Sequence, residues 1–205
     1  MKDDPTDRQA KKRATRARIL EVARLHFERD GFAGASVRAI AGEASVAVGT
    51  VLLHFEDKVS LLHAALHSDL EAAILKSLSA PQRGGILNRL SSCITPFFEY
   101  YSARPTLSRI LLRESLLAED PWRERFTEQF MRVQVHIVSL VEEAKARGEL
   151  EPKLSAALFS AALFSFYYFA LIGWVQGGLA DPAPLFRQLL AQHLQGVALR
   201  VEDKS

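Results

Sequence analysis

Apolar residues recur at helical spacing along almost the whole chain, and no run alternates in the way that a half-buried strand requires. Ile19, Leu20, Ala23 and Phe27 form one stripe. Gly31 closes it in the position where helices commonly end on a left-handed residue, and Phe32 can fold back onto the stripe. Val37, Ile40, Ala41 and Ala44 repeat the i, i+3, i+4, i+7 pattern, with Ser36 suited to cap their helix. A shorter helix is predicted over residues 47–53, and only Ser45 and Val46 separate the two. So short a joint makes the second helix cross the first with its outer face presented to a partner. That is the form of a helix-turn-helix, and it predicts DNA binding.

After Phe55, residues 57–79 read as a longer amphipathic helix carrying Leu61, Leu62, Ala65, Leu66, Leu70, Ala73 and Ile74. Pro81 and the Gly84-Gly85 pair stop it. Helices are then expected over residues 86–102, 106–117, 121–147, 153–179 and 184–201, in a region more apolar than the first part of the chain. Pro96 should kink the first of these, while Pro105, Pro121, Pro152 and Pro182 punctuate the others near their starts. The expected class is all-α. A basic arm and three-helix helix-turn-helix domain occupies 1–58, and a connecting helix with a larger helical domain occupies 59–205.

The composition of the 205 residues, 48% apolar and 24% charged, is that of an ordinary globular chain and excludes a disordered or fibrous one. A net charge of +2 hides an uneven distribution: Arg8, Lys11, Lys12, Arg13, Arg16 and Arg18 follow one another with no acidic residue between them. Beside a DNA-reading motif such an arm is suited to phosphates, and Arg13 and Arg16 are its candidate contacts. The single cysteine, Cys93, excludes an internal disulfide, and residues 1–7 lack the apolar core of a signal peptide. Both observations point to the cytoplasm. From Leu154 to Ala180 there is no charged residue. The run is long enough for a membrane span, yet its serines, Tyr167, Tyr168 and Gln176, and the lack of flanking basic clusters, read instead as a helix buried in a dimer. No membrane partner is expected.

In the order and spacing of Ile19-Leu20, Ala23, Phe27, Gly31, Ile40-Ala41, Val46, Gly49-Thr50, Phe55 and Lys58-x-x-Leu61-Leu62, the chain resembles the tetracycline-repressor (TetR) family of bacterial transcription regulators. The remainder is similar only in length and helical content. The resemblance implies a ligand-responsive regulator, most often a repressor. In it a symmetric homodimer places two recognition helices in successive major grooves of a palindromic double-stranded operator, and a small molecule in the helical ligand-binding and dimerisation domain releases it. Carried onto this chain, the family's DNA-facing positions are Ser36, Arg38, Val48, Gly49, Thr50, Leu52, Leu53, His54 and Lys58. Three positions depart from the family's usual residues: Ser45 replaces a glycine, Ala47 a serine and Leu52 a tyrosine. Ala47 cannot cap the recognition helix, unless the Ser45 hydroxyl substitutes, and Val48, Leu52 and Leu53 cannot hydrogen-bond a base. A T-rich or shape-read operator is therefore expected, with Ser36, Arg38, Thr50, His54 and Lys58 holding the backbone. Val46, Val51 and Phe55 already supply the inward positions.

The resemblance also places an effector pocket among the middle helices, which offer Phe97, Phe98, Tyr101, Trp122, Phe126, Phe130, Phe164 and Tyr168. Arg109, Arg113, Gln134 and His136 are possible polar contacts. The aromatic content suits an apolar or aromatic effector. Ala157, Ala161 and Ser165 form a small-residue stripe continued by Phe169, Gly173 and Gly177. With Phe186, Leu190 and Leu194 of the last helix, the stripe could build a four-helix subunit interface. No G-x-S-x-G, glycine-rich phosphate loop or H-E-x-x-H occurs, so neither an enzyme nor a cofactor is expected. His63, His67 and Glu71 share a face at i, i+4, i+8 and read as satisfied or solvated histidines rather than metal ligands. The alternatives are a metal-responsive regulator and a protein-interaction module whose aliphatic face has exchanged DNA for a protein groove.

Overall fold

A computed structural model of the chain describes residues 5–197. Nine helices occupy the described residues, with no strand: α1 (Pro5–Gly34), α2 (Val37–Glu43), α3 (Val48–His54), α4 (Lys58–Leu78), α5 (Ile86–Ala103), α6 (Pro105–Leu117), α7 (Trp122–Ala146), α8 (Ala156–Val175) and α9 (Pro182–Val197). Predicted and observed boundaries agree to within a few residues except at α1, which begins at Pro5, so the basic arm is itself helical. The expected end of the last helix at residue 201 lies outside the described residues. The helix α5 runs on through Pro96, and the expected α1 terminus at Gly31 is present in a modified form: φ is +67°, but ψ of 175° places it in an extended region open essentially to glycine alone. Phe32 does return onto α1, its ring 6.1 Å from that of Phe27.

Contacts divide the chain into two compact units, residues 1–69 with 104–123, and residues 70–103 with 124–205. The motif alone therefore does not make the first unit: the first half of α4 and all of α6 belong with it. Its core combines Ile19, Leu20, Ala23 and Phe27 of α1 with Ile40, Ala41, Val51, Phe55, Leu61, Leu62, Leu107 and Leu111, all buried. The second unit packs Leu90, Ile94 and Phe98 of α5 with Val133, Ile137 and Leu140 of α7, Phe159 and Leu163 of α8, and Phe186 and Leu190 of α9.

The helix α8 has the length and apolarity of a membrane span, yet one face of it is buried protein core. The other carries the stripe described below.

Candidate nucleic-acid interface

In the first unit α2 and α3 diverge by 105°, within the range of helix-turn-helix crossings. Backbone bonds from Ser45 to the Gly42 carbonyl (3.0 Å) and from Val46 to the Ala41 carbonyl (2.9 Å) finish α2. The chain turns at Ser45, whose φ of +54° is a left-handed conformation that favours glycine. At the α3 start Ala47 provides no side-chain cap and nothing replaces it. Ser36 occupies the N-cap position of α2, but its side chain makes no capping bond, contrary to expectation, and stays exposed. Extended backbone at Ser36 already delivers its carbonyl to the Ile40 N–H, and this suffices to start the helix.

On α3 the side chains sort as the spacing requires. Val51 and Phe55 are buried, whereas Val48, Leu52 and Leu53 are 39%, 48% and 78% exposed. Gly49 and Arg38 are exposed, and Thr50 and His54 are half-buried. The helical arm brings cations beside this face: the exposed Arg16 guanidinium lies 5.1 Å from the centre of the Phe55 ring. Burial, then the charges of Lys12 and Arg16, hold the His54 imidazole below its ordinary pKa and so favour its neutral form. Arg13 is exposed on the same arm.

Lys58 is committed elsewhere. Its ammonium donates to the Ala35 carbonyl at 2.9 Å and the Ala33 carbonyl at 3.4 Å, and it sits 4.5 Å over the Phe32 ring. It pins the start of α4 to the α1–α2 joint rather than leaving a free cation for a phosphate.

Polar links join α1 to α2 and join α1, α4 and α6 to one another. His26 is buried, donating from Nε2 to Glu43 of α2 at 2.9 Å and accepting at Nδ1 from Arg29 at 3.1 Å. The Glu28 carboxylate accepts the Thr106 and Leu107 N–H groups, at 3.2 and 2.7 Å, and so caps α6 from α1. Buried Asp69 takes the Arg24 guanidinium of α1 on one oxygen and Arg104 at 2.7 Å on the other. Asp57 accepts the Ser60 N–H at 2.7 Å, capping α4, and that bond is the main cause of its lowered pKa. His63 lies 2.8 Å from Glu114 of α6. Burial raises the Glu114 pKa, but hydrogen bonds from His63 and Arg113 outweigh it and hold the carboxyl below its ordinary value. Trp122 packs its ring 5.6 Å from His63 and 5.9 Å from His67, and Glu71 receives Arg132 at 2.6 Å and Gln129 at 3.1 Å. The three residues of the candidate metal face thus have protein partners. Glu28, Asp69 and Arg104 were not legible beforehand, because their partners lie far away in sequence.

In the second unit an aromatic cluster surrounds Tyr167, with ring centres of Phe97, Phe98, Phe164 and Tyr168 at 6.2, 5.4, 6.4 and 5.0 Å. Phe130 lies 4.4 Å from Phe164. The Tyr101 and Tyr167 hydroxyls are hydrogen-bonded to one another, and burial raises the pKa of both phenols. Phe126 is buried on α7 and Gln134 half-buried. Arg89 Nε, His136 Nε2 and Ser160 Oγ are among this unit's buried side-chain polar atoms without a hydrogen-bond partner, and of the three the sequence singled out only His136. The other candidate pocket residues, Arg109, Arg113 and Trp122, belong to the first unit, where Arg109 is exposed and Arg113 pairs with Glu114 at 2.8 Å.

The candidate subunit interface also splits. Ala157, Ala161, Ser165 and Phe169 are exposed on α8 and Gly173 is half-buried, but Phe186, Leu190 and Leu194 are buried inside the unit. Phe186, for example, packs 5.6 Å from Phe98. These three serve the core of their own subunit, so the outward face of α9 is the one holding Gln188, Gln192 and Gln195.

Residues 19–65 match the family described as bacterial regulatory proteins, tetR family. The regulator UidR of Escherichia coli K12 is 26% identical over 188 residues, covering 89% of this chain and 93% of its own. The repressor KstR of Mycolicibacterium smegmatis is 29% identical over 153 residues, 74% of this chain and 64% of its own. Among solved structures, FadR of Bacillus subtilis in complex with stearoyl-CoA aligns with a TM-score of 0.72 at 19% identity, covering 88% of this chain and 98% of that one. A regulator of Saccharomonospora viridis in complex with choline gives 0.73 at 19% identity, over 90% and 98%.

Proposed function

This chain is a DNA-binding transcriptional regulator of the TetR family, and we propose that it works in the cytoplasm as a homodimeric repressor of a palindromic operator, released by a small molecule. The observation that carries this reading is the exposed stripe on α8. Ala157, Ala161, Ser165 and Phe169 lie bare on a helix without a charge, and small residues there let a second copy approach closely. Two-fold pairing supplies two α3 helices, as a two-fold operator requires.

The effector belongs in the second unit, where the aromatic cluster suits an apolar or aromatic molecule and His136 Nε2 and Ser160 Oγ are left to bond it. Catalysis plays no part in this reading. The chain passes between units at 69/70, 103/104 and 123/124. Asp69 and Arg104 stand at two of those crossings, paired with each other, and Arg24 of α1 joins them. The proposed route of the effector's action runs through this pair to α1. The effector acts by favouring the dimer in which the two α3 helices no longer match one helical turn of DNA, roughly 34–36 Å.

A selection of bound sequences from random DNA, repeated with long-chain acyl-CoA thioesters and with quaternary amines, tests the reading. A palindrome should be recovered without effector and lost with one, and Thr50→Ala and Arg38→Ala should weaken recovery. A non-palindromic site refutes the dimer, and no enriched site at all refutes this reading of how the regulator works. Asp69→Asn should retain operator binding and blunt the effector response. An undiminished response removes the ion-pair route.

A further inference from the structure

Resting on the DNA-binding reading, we infer that α3 recognises its half-site through the C5 methyl groups of thymine, with Val48, Leu52 and Leu53 as the specificity-determining residues. Their spacing places all three on one outward face, and their exposure shows that nothing in the first unit covers it. Val51 and Phe55 complete the inward side, so a rotation of α3 that hid the aliphatic side chains would expose two core residues instead. The partner must therefore be apolar where it meets this face.

It must also be anionic around the edge. Arg13, Arg16 and Arg38 are exposed, and the Arg16 guanidinium lies 5.1 Å from the centre of the Phe55 ring at the end of α3. A polyanion with an apolar centre describes the thymine-containing major groove, because the C5 methyl is the apolar group that the groove presents between two phosphate rims.

Discrimination then has two sources. Covering a thymine methyl removes apolar surface from water, worth about fourfold in affinity per methyl. Covering guanine O6 and N7 or the cytosine amino group with leucine strips water from groups that receive no partner in exchange, at a loss of about tenfold or more per base pair. The second term is exclusion rather than attraction, so the half-site is defined by where G·C is refused. Thr50, half-buried, and His54, at the cationic edge, are left to the sugar-phosphate backbone.

Deoxyuridine isolates the methyl, since it differs from thymidine by that group alone. On the full-length protein, the selected operator should lose about fourfold in affinity for each contacted thymine replaced by deoxyuridine, measured by fluorescence anisotropy at fixed salt. The Leu52→Ala/Leu53→Ala variant changes only surface side chains, and it should discriminate the thymine from the deoxyuridine operator less than the unaltered protein does, keeping only the share of Val48. Equal binding of the two operators by the unaltered protein overturns the inference, as does recovery of G-rich half-sites. Failure to recover any operator overturns the DNA reading itself together with this one.

Discussion

The outward faces of α3 and α8 both expose large apolar side chains, and they do so in opposite surroundings. On α3, Val48, Leu52 and Leu53 stand beside exposed Arg16 and Arg38. On α8, Leu158 is 73% and Phe169 64% exposed among Ala157, Ala161 and Ser165, on a stretch without charge from residue 154 to 180. Hydrophobicity alone would assign both faces the same role. The setting separates them, because a cationic rim selects a polyanion, whereas small residues on an uncharged helix select another helix that can come close.

The sharpest way to break this contrast is Phe169→Glu. A carboxylate in the middle of the α8 stripe has no partner across a two-fold interface, so self-association should weaken at least about a hundredfold in sedimentation equilibrium, with the helical circular dichroism unchanged. Persistence of the dimer would leave the α8 face without its assigned role. A smaller effect should follow Leu53→Lys on the other face. The dimer should survive, T-rich selectivity should fall, and the log–log salt slope of DNA affinity should steepen by about one charge. An unaltered slope would place Leu53 away from DNA.

Next come two substitutions that restore the family's usual residues under α3. Ser45→Gly relieves the left-handed serine, and Ala47→Ser supplies the missing cap; each should raise the unfolding free energy by about 0.5–1 kcal/mol in urea titrations. Loss of stability at residue 45 would show that φ of +54° is not a strain there. The smallest expected effect concerns His54. Because its folded pKa lies below the ordinary 6.5, its contribution to stability is complete above that pH and is lost as pH falls through the lowered value. His54→Gln should flatten this part of the stability–pH profile between pH 8 and 5, and an unchanged profile would show that neither burial nor the charges of Lys12 and Arg16 act on this imidazole.

The motif was legible because its determinants are local. Stripe, turn and recognition face lie within Ser36–Lys58, and a helix of known period settles which of Val48, Val51, Leu52 and Leu53 face outward once two inward positions are assigned. Even there, Lys58 was misplaced: a lysine reads as a phosphate contact, and only the packed α1–α2 joint shows carbonyls waiting for its ammonium. The α1–α6 clamp was illegible for a different reason. Glu28 meets Leu107 across 79 positions and Asp69 meets Arg104 across 35, and neither end carries a local signature of its partner. The expected boundary at 58/59 likewise follows the motif, while contacts place α6 with it.

By itself the sequence determined the helical segments of the described residues, the helix-turn-helix and the family, since periodicity, turn residues and short-range spacing are properties of consecutive positions. Tertiary structure decided which apolar faces are used up. Phe186, Leu190 and Leu194 form as regular a stripe as any interface helix, yet they are buried within their own unit, whereas α8, apolar all round, offers no periodicity from which to choose a face. Burial against one's own core and burial against a second copy demand the same side chains, so only the packed subunit shows which surface is left over.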